Sequence, residues 1–144
     1  MPTLLPFRSV LLKSSRIFVD KINVYLQTQD LNYSLWQVLA TIDNLAPCSL
    51  TDIANALNIS QPAISKRIVD LENKQLIDYL PASNRREKIV TLSPQGLKHY
   101  QTCKQQIDLI EAKYKQDIDP QALQHATDVL AQFLNNLQKV DSHE

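Results

Sequence analysis

SLTDIANALNISQPAISKRIVDL, the stretch Ser49–Leu71, predicts two short helices joined by a tight turn. Ser49 is a favourable N-cap, and Asp52 three residues later completes a variant of the capping box. Asn58 stands where a helix ends in a left-handed residue, a conformation that asparagine tolerates. Ser60 is then placed to cap the second helix.

The second helix is predicted to have one buried and one outward face. Ile64, Ile68 and Leu71 lie at i, i+4 and i+7 and mark the buried face. The outward face carries Pro62, Ser65, Lys66 and Val69. Two short helices, the second with a free polar face, form the pattern of a DNA-binding helix-turn-helix.

Composition and charge favour a helical protein with one locally basic segment. The chain has 144 residues, one glycine and a formal net charge of zero. Between Ser60 and Lys98, seven basic residues face four acidic ones, so this segment carries +3 and the remainder −3. A basic patch on a neutral chain suits a DNA-binding protein whose other parts have a different task.

The segment after the second helix predicts a β wing. Leu76–Leu80 and Lys88–Leu92 are the strand candidates, and the latter alternates with β-branched residues. Loop-forming residues from Pro81 onward lead to a basic tip at Asn84, Arg85 and Arg86.

Long helices are predicted on both flanks. The first runs from Phe7 to Gln29, a second begins at Asn32 or Ser34, and two more open at Ser93-Pro94 and Asp119-Pro120. The last two carry apolar residues at spacings of 3 and 4, namely Tyr100, Cys103, Ile107, Ile110 and Tyr114, then Leu123, Ala126, Leu130, Phe133, Leu137 and Val140. Because a winged domain of about 60 residues cannot cover both seams, we expect contact between subunits, with an intrachain hairpin as the alternative.

This ordered series resembles the MarR family of winged-helix transcriptional regulators. The resemblance runs from about Leu31 to Gly96 and is carried by LNYSLW at 31–36, SQPAISKRIVDLE at 60–72, Leu76-Ile77, the Arg85-Arg86 wing and LSPQG at 92–96. It implies a mainly α fold with a small β wing, in which residues 31–93 form the DNA-binding domain and residues 1–30 and 94–144 form dimerisation helices.

The resemblance also implies a partner and a mechanism. It implies a homodimer that binds a pseudo-palindromic DNA operator, with the wing arginine in the minor groove. In the leading interpretation this homodimer is a repressor that a small phenolic or amphipathic ligand releases from DNA. The aromatic candidates for a ligand pocket are Phe18, Tyr25, Trp36 and Tyr100, for which core packing is the alternative role. The alternative function is a winged-helix protein-interaction module without DNA binding.

Three positions depart from the family pattern. Asn84 stands where the wing usually has an aspartate that forms an ion pair with the arginine, here Arg86. The wing loop is one residue short. Gln75 replaces the usual glycine after the recognition helix, at a cost on the order of 1 kcal/mol if that position needs a positive φ.

The recognition helix and the wing supply the expected DNA contacts. Ser65 and Lys66 are expected to reach base edges, Ser60 and Gln61 a phosphate, and Val69 a thymine methyl group. Arg67 is expected to contact a phosphate or to pair with Asp70 or Glu72. Pro62 on the helix and Asn84, Arg85, Arg86 and Lys88 on the wing complete the set. The alternative for each basic group is a solvated surface.

Other chemistry is not indicated. The three histidines, His99, His125 and His143, lack helix-face partners, and no nucleophile elbow or phosphate loop is present, so we expect no enzyme activity, metal or cofactor. Cys103 falls on an apolar seam, whereas Cys48 is expected to be more accessible after Pro47. Neither a signal peptide nor a membrane-spanning run is recognised, so a cytoplasmic location is expected.

The wing interpretation makes a direct prediction. Replacing Arg86 by alanine removes the cation expected in the minor groove, so Arg86→Ala should weaken operator binding at least about tenfold. The fold and the oligomeric state should not change. Unchanged affinity in a gel-shift titration would remove the wing from the mechanism.

Overall fold

The computed structural model describes residues 5–81 and 87–139, and its elements follow the predicted order. Six helices are described: α1 (Phe7–Gln27), α2 (Tyr33–Leu45), α3 (Leu50–Leu57), α4 (Gln61–Asn73), α5 (Pro94–Lys115) and α6 (Pro120–Gln138). Three strands accompany them: β1 (Cys48–Ser49), β2 (Ile77–Tyr79) and β3 (Ile89–Leu92). The prediction of a mainly α fold with a small β wing is confirmed.

Two compact units make up the chain. Met1–Ile110 includes α1 to α4, the sheet and most of α5, and Glu111–Glu144 includes the end of α5 and all of α6. The functional division into residues 1–30, 31–93 and 94–144 stays a prediction.

Side-chain caps begin the helices of the helix-turn-helix as predicted. The Ser49 hydroxyl accepts the Asp52 backbone N–H at 3.0 Å, and the Asp52 carboxylate accepts the Ser49 N–H at 3.0 Å. Ser60 accepts the Ala63 N–H at 3.4 Å. Asn58 has φ 54° and ψ 47°, so the chain turns between α3 and α4 through the left-handed conformation expected there.

The inner face of α4 is fixed by burial. Ile64, Ile68 and Leu71 are each at most 1% exposed and join the side chains of α2 and α3 in a single core. This core extends to the C-terminal half of α1 through Ile22 and Leu26. The predicted buried stripe of the recognition helix is therefore confirmed.

The sheet is antiparallel with the strand order β1-β3-β2. Tyr79 pairs with Val90 across the wing, and Cys48 pairs with the same Val90 on the other side. The sequence did not predict β1, because two residues are too few to show an alternating pattern. Its pairing buries Cys48 to 3% exposure, against 0% for Cys103, so Cys48 is the more accessible of the two cysteines only by this small margin.

Three helices of the first unit end through left-handed residues that are not glycine. Asp30, Asn58 and Gln75 have φ of 57°, 54° and 64°. After each, a backbone N–H returns to a carbonyl five residues earlier at 3.0 Å, from Leu31 to Leu26, from Ile59 to Ala54 and from Leu76 to Leu71. This is the Schellman pattern of helix termination. Gln75 thus adopts the positive φ at which the sequence departs from the family glycine.

Gly96 is needed where α5 crosses the end of the recognition-helix segment. A Cβ at this position would overlap the carbonyl group of Leu76. The same junction is tied by the Ser93 hydroxyl, which donates to the Gln75 carbonyl at 2.8 Å and accepts the Gly96 N–H at 2.9 Å. Close backbone contact therefore sets the start of α5 against the start of β2.

The strained turn predicts a stabilising substitution. Gln75→Gly should raise the free energy of unfolding by about 1 kcal/mol, because glycine adopts the left-handed region without a Cβ clash. The matched control is Gln105→Gly in the exposed middle of α5, which should lower it by about 1 kcal/mol. Urea unfolding measures both, and a Gln75→Gly protein no more stable than the wild type would contradict the strain.

Candidate nucleic-acid interface

The outward face of α4 is a continuous solvent-facing surface. Ser65, Lys66 and Val69 are exposed, and so are Gln61 and Pro62 in the first turn. Val69 is 51% exposed although it is a large apolar residue. A helix with its apolar side buried and a mixed polar and apolar side free can present hydrogen-bond donors and a methyl surface to a DNA groove.

The first turn of α4 is supported by α3. The Gln61 amide donates to the Thr51 hydroxyl at 2.8 Å, which joins the two helices on the exposed side of the turn. The Gln61 carbonyl oxygen is not used in this bond. The Gln61 side chain is therefore already ordered before DNA is present. A contact between Gln61 and a DNA phosphate would then cost less conformational entropy.

Arg67 lies half-buried beside α2. Its guanidinium donates to the backbone carbonyl of Ser34 at 3.4 Å and to the Gln37 side-chain oxygen at 3.3 Å. The alternative expectation of an ion pair with Asp70 or Glu72 was wrong, because the α2 acceptors take this side chain. The contact joins the recognition helix to α2, and the predicted phosphate contact of Arg67 stays a prediction.

The base of the wing presents Lys88. This side chain is exposed, and its Nζ lies 5.3 Å from the centre of the Tyr79 ring. Asn84, Arg85 and Arg86 lie outside the described residues. Of the four predicted wing residues, the described structure therefore places Lys88.

A groove of about 240 Å³ separates the outward face of α4 from the wing. Its lining includes Gln61, Ser65, Val69, Tyr79 and Lys88. The groove brings recognition-helix and wing side chains to one surface. In the pairs Ser65–Tyr79 and Val69–Lys88, the two residues are 14 or more positions apart in the sequence. Local sequence patterns therefore could not predict that they lie close together.

The four predicted ligand-pocket aromatics pack into or against the core. Trp36 and Tyr100 stack with ring centres 4.8 Å apart, and Phe18 and Tyr25 pack against the buried cluster. Burial, with a hydrogen bond from its hydroxyl to the Cys103 sulfur at 3.9 Å, raises the pKa of Tyr25 to about 12. Their role in ligand binding stays a prediction.

A surface cavity of about 370 Å³ lies between α2 and α3 beside this cluster. Trp36 forms part of its wall, and so do Tyr33, Gln37 and Leu57. Gln37 is also an acceptor for Arg67 of the recognition helix. A residue of the cavity wall, Gln37, is therefore hydrogen-bonded directly to α4.

Both thiols are protected. Burial is the main cause that raises the pKa of Cys103 and of Cys48, with the Asp52 carboxylate adding to the effect at Cys48. The expected core position of Cys103 is confirmed at 0% exposure. Within residues 5–81 and 87–139, acidic, cysteine and histidine side chains form no group of three that could hold a metal ion, and no helix is long and apolar enough to cross a bilayer.

Comparison with known proteins shows which family the central part of the chain is similar to. The model of the MarR family matches residues 31–88, which include α2, α3, α4 and the wing. Residues 31–88 are therefore similar to the MarR family, over about two fifths of the chain. A curated relative, the uncharacterized HTH-type transcriptional regulator YwoH of Bacillus subtilis, is 28% identical over 89 residues, or 62% of this chain. The match spans 65% of that relative, just under two thirds of its length.

Solved structures share the MarR fold over nearly the whole chain. Staphylococcus aureus MarR in complex with salicylate and kanamycin is 22% identical and has a TM-score of 0.85, with 94% of this chain and 92% of that chain covered. The S. aureus MepR–DNA complex is 20% identical with a TM-score of 0.80, covering 92% and 97%. Apo MarR from E. coli is 18% identical with a TM-score of 0.76, covering 92% and 99%. These likenesses establish the fold.

Proposed function

We propose that this chain is a homodimeric, sequence-specific DNA-binding transcriptional regulator that acts in the cytoplasm. One observation carries the proposal: the exposed face of α4 displays Ser65 and Lys66 on the side opposite its buried stripe, and Ser65 lines the same groove as Lys88 of the wing. The similarity of residues 31–88 to the MarR family supports it, and MepR, a protein of the same fold with a TM-score of 0.80, has been solved as a DNA complex.

In the proposed interface, some residues contact base edges and others contact phosphates. Lys66 and Ser65 contact base edges in the major groove, where lysine recognises guanine acceptors. Ser60, Gln61, Pro62, Arg67 and Val69 complete the α4 contacts, of which the first two and Arg67 hold phosphates. Lys88, with Asn84, Arg85 and Arg86, contacts the flanking minor groove.

Homodimer formation is supported by apolar side chains left in solvent. In the first half of α1, Val10 and Leu12 are 47% and 65% exposed. On α6, which has no buried residue, Leu130, Leu134 and Leu137 are 39% to 66% exposed. Exposed apolar surface of this extent on a helix is typical of a protein interface. A second copy of the chain is the proposed partner.

We further propose that the regulator is a repressor released by a small phenolic or amphipathic ligand. The cavity between α2 and α3 supports this, because its wall includes Trp36 and Gln37 and because Gln37 accepts a hydrogen bond from Arg67. A ligand that forms a hydrogen bond with the Gln37 side-chain amide would break the Arg67–Gln37 hydrogen bond. The contact between α2 and α4 would change as a result. The salicylate complex of S. aureus MarR is that of a protein with the same fold.

DNA binding is tested with the duplex found directly upstream of the gene for this chain. Lys66→Ala should weaken binding by about tenfold and reduce the slope of log K against log salt by about one, because one cationic contact is lost. The matched control is Lys104→Ala, which removes the same charge from an exposed position of α5, where the ion pair with Asp108 contributes little. Anisotropy titrations over a range of KCl concentrations measure both quantities.

A protein-interaction module would give a different result. Wild-type binding that is weak and independent of salt would contradict the DNA-binding proposal. Equal losses in Lys66→Ala and Lys104→Ala would move the contact away from α4.

Dimerisation is tested on α6. Leu130→Glu/Leu137→Glu should convert a particle of twice the 16.4 kDa chain mass into a single chain, because two buried carboxylates at an interface cost several kcal/mol. The control Gln132→Glu/Asn136→Asp adds two charges to the same helix away from these leucines and should remain dimeric. Sedimentation equilibrium distinguishes them, and a wild-type chain that is monomeric at high concentration would refute the proposed assembly.

A further inference from the structure

We infer that Tyr79 is a positioning residue that holds the base of the wing against the recognition helix through Glu72. This inference rests on the proposed function, because it concerns how the two DNA-contacting elements keep their relative position. Nothing in the local sequence indicates it, since Tyr79 lies on β2 and Glu72 lies near the end of α4.

The contact is a charge-assisted hydrogen bond between two elements. The Tyr79 hydroxyl donates to the Glu72 carboxylate, with 2.9 Å between the two oxygens. The Tyr79 backbone is fixed at the same time by pairing with Val90 of β3. A bond from a sheet residue to α4 therefore limits the rotation of the hairpin relative to the helix.

The Tyr79 ring also contacts the Lys88 ammonium group of the wing. The Lys88 ammonium lies 5.3 Å from the ring centre, within the range of a cation–π contact. Both side chains line the groove that faces Ser65 and Val69 on α4. Tyr79 therefore connects a carboxylate on the recognition helix with a lysine on the wing, and a shift of its ring would shift Lys88.

The hydroxyl is a donor throughout the physiological pH range. Burial and the adjacent Glu72 carboxylate raise the pKa of Tyr79 to about 12, so the phenol keeps its proton. A carboxylate partner cannot donate, so the bond has one direction and the tyrosine proton is required for it. Phenylalanine keeps the ring and its contact with Lys88 but removes this proton.

The decisive variant is Tyr79→Phe in the full-length protein. Without the hydroxyl, the hairpin base should move relative to α4, and affinity for the upstream duplex should fall about fivefold. The salt slope should be lower by about one, because the Lys88 cation leaves the minor groove. The matched control is Tyr114→Phe, since Tyr114 is 50% exposed on α5 and has Lys113 5.5 Å from its ring. That variant should bind DNA as the wild type does.

A second measurement needs no DNA. Hydrogen exchange of the Ile77–Leu80 backbone amides should be faster in Tyr79→Phe than in the wild type, while exchange in the core of α2 stays unchanged. Glu72→Gln keeps an acceptor oxygen but loses the charge, so it should have a smaller effect than Tyr79→Phe. The double variant should be no worse than Tyr79→Phe alone, because the two residues form one interaction.

The outcomes separate this inference from the proposed function. If the wild type fails to bind the duplex, the DNA-binding proposal fails, and hydrogen exchange still decides whether Tyr79 holds the wing. If the wild type binds and Tyr79→Phe shows the same affinity, salt slope and exchange, the positioning role is refuted. A loss of affinity with an unchanged salt slope and faster exchange throughout the chain would also refute it, because that result marks general destabilisation.

Discussion

Burial of the inner face of α4 is the constraint on which the rest of the structure depends. Ile64, Ile68 and Leu71 have almost no solvent exposure, and full burial of each such side chain contributes about 1.5–3 kcal/mol. The hydrogen bonds that join α4 to its neighbours contribute about 1 kcal/mol each. Apolar packing therefore sets the rotation of α4, and with it the side chains left in solvent, whereas the polar links of Arg67 and Glu72 refine its position.

The end of α4 is a junction of several short-range constraints. Gln75 turns the chain through the left-handed region, and Ser93 bonds to its carbonyl. Gly96 allows α5 to approach the backbone of Leu76. Nearby, Lys74 forms an ion pair with Asp30 of the α1–α2 turn at 2.8 Å. The recognition helix, the wing and α5 therefore meet where there is little room for a change in the backbone.

Local chemistry explains how much could be predicted from the sequence. The caps at Ser49 and Ser60 and the turn at Asn58 depend on neighbours within five residues, so composition and spacing predicted them and the structure confirmed them. The contacts of Arg67 with α2 and of Tyr79 with Glu72 depend on tertiary packing, which no periodicity encodes. Strand β1 was missed for the same reason, because a two-residue strand exists only through its partner β3.

The burial of both cysteines has a practical consequence. The chain contains two thiols, Cys48 and Cys103, each at most 3% exposed and each with its pKa raised above the ordinary range. Thiolate is the species that reacts with maleimides and iodoacetamides, and in the folded protein little of it is accessible. A cysteine introduced on the surface would therefore accept a fluorophore selectively on the otherwise native chain. Site-specific labelling for distance measurements does not require prior removal of the natural cysteines.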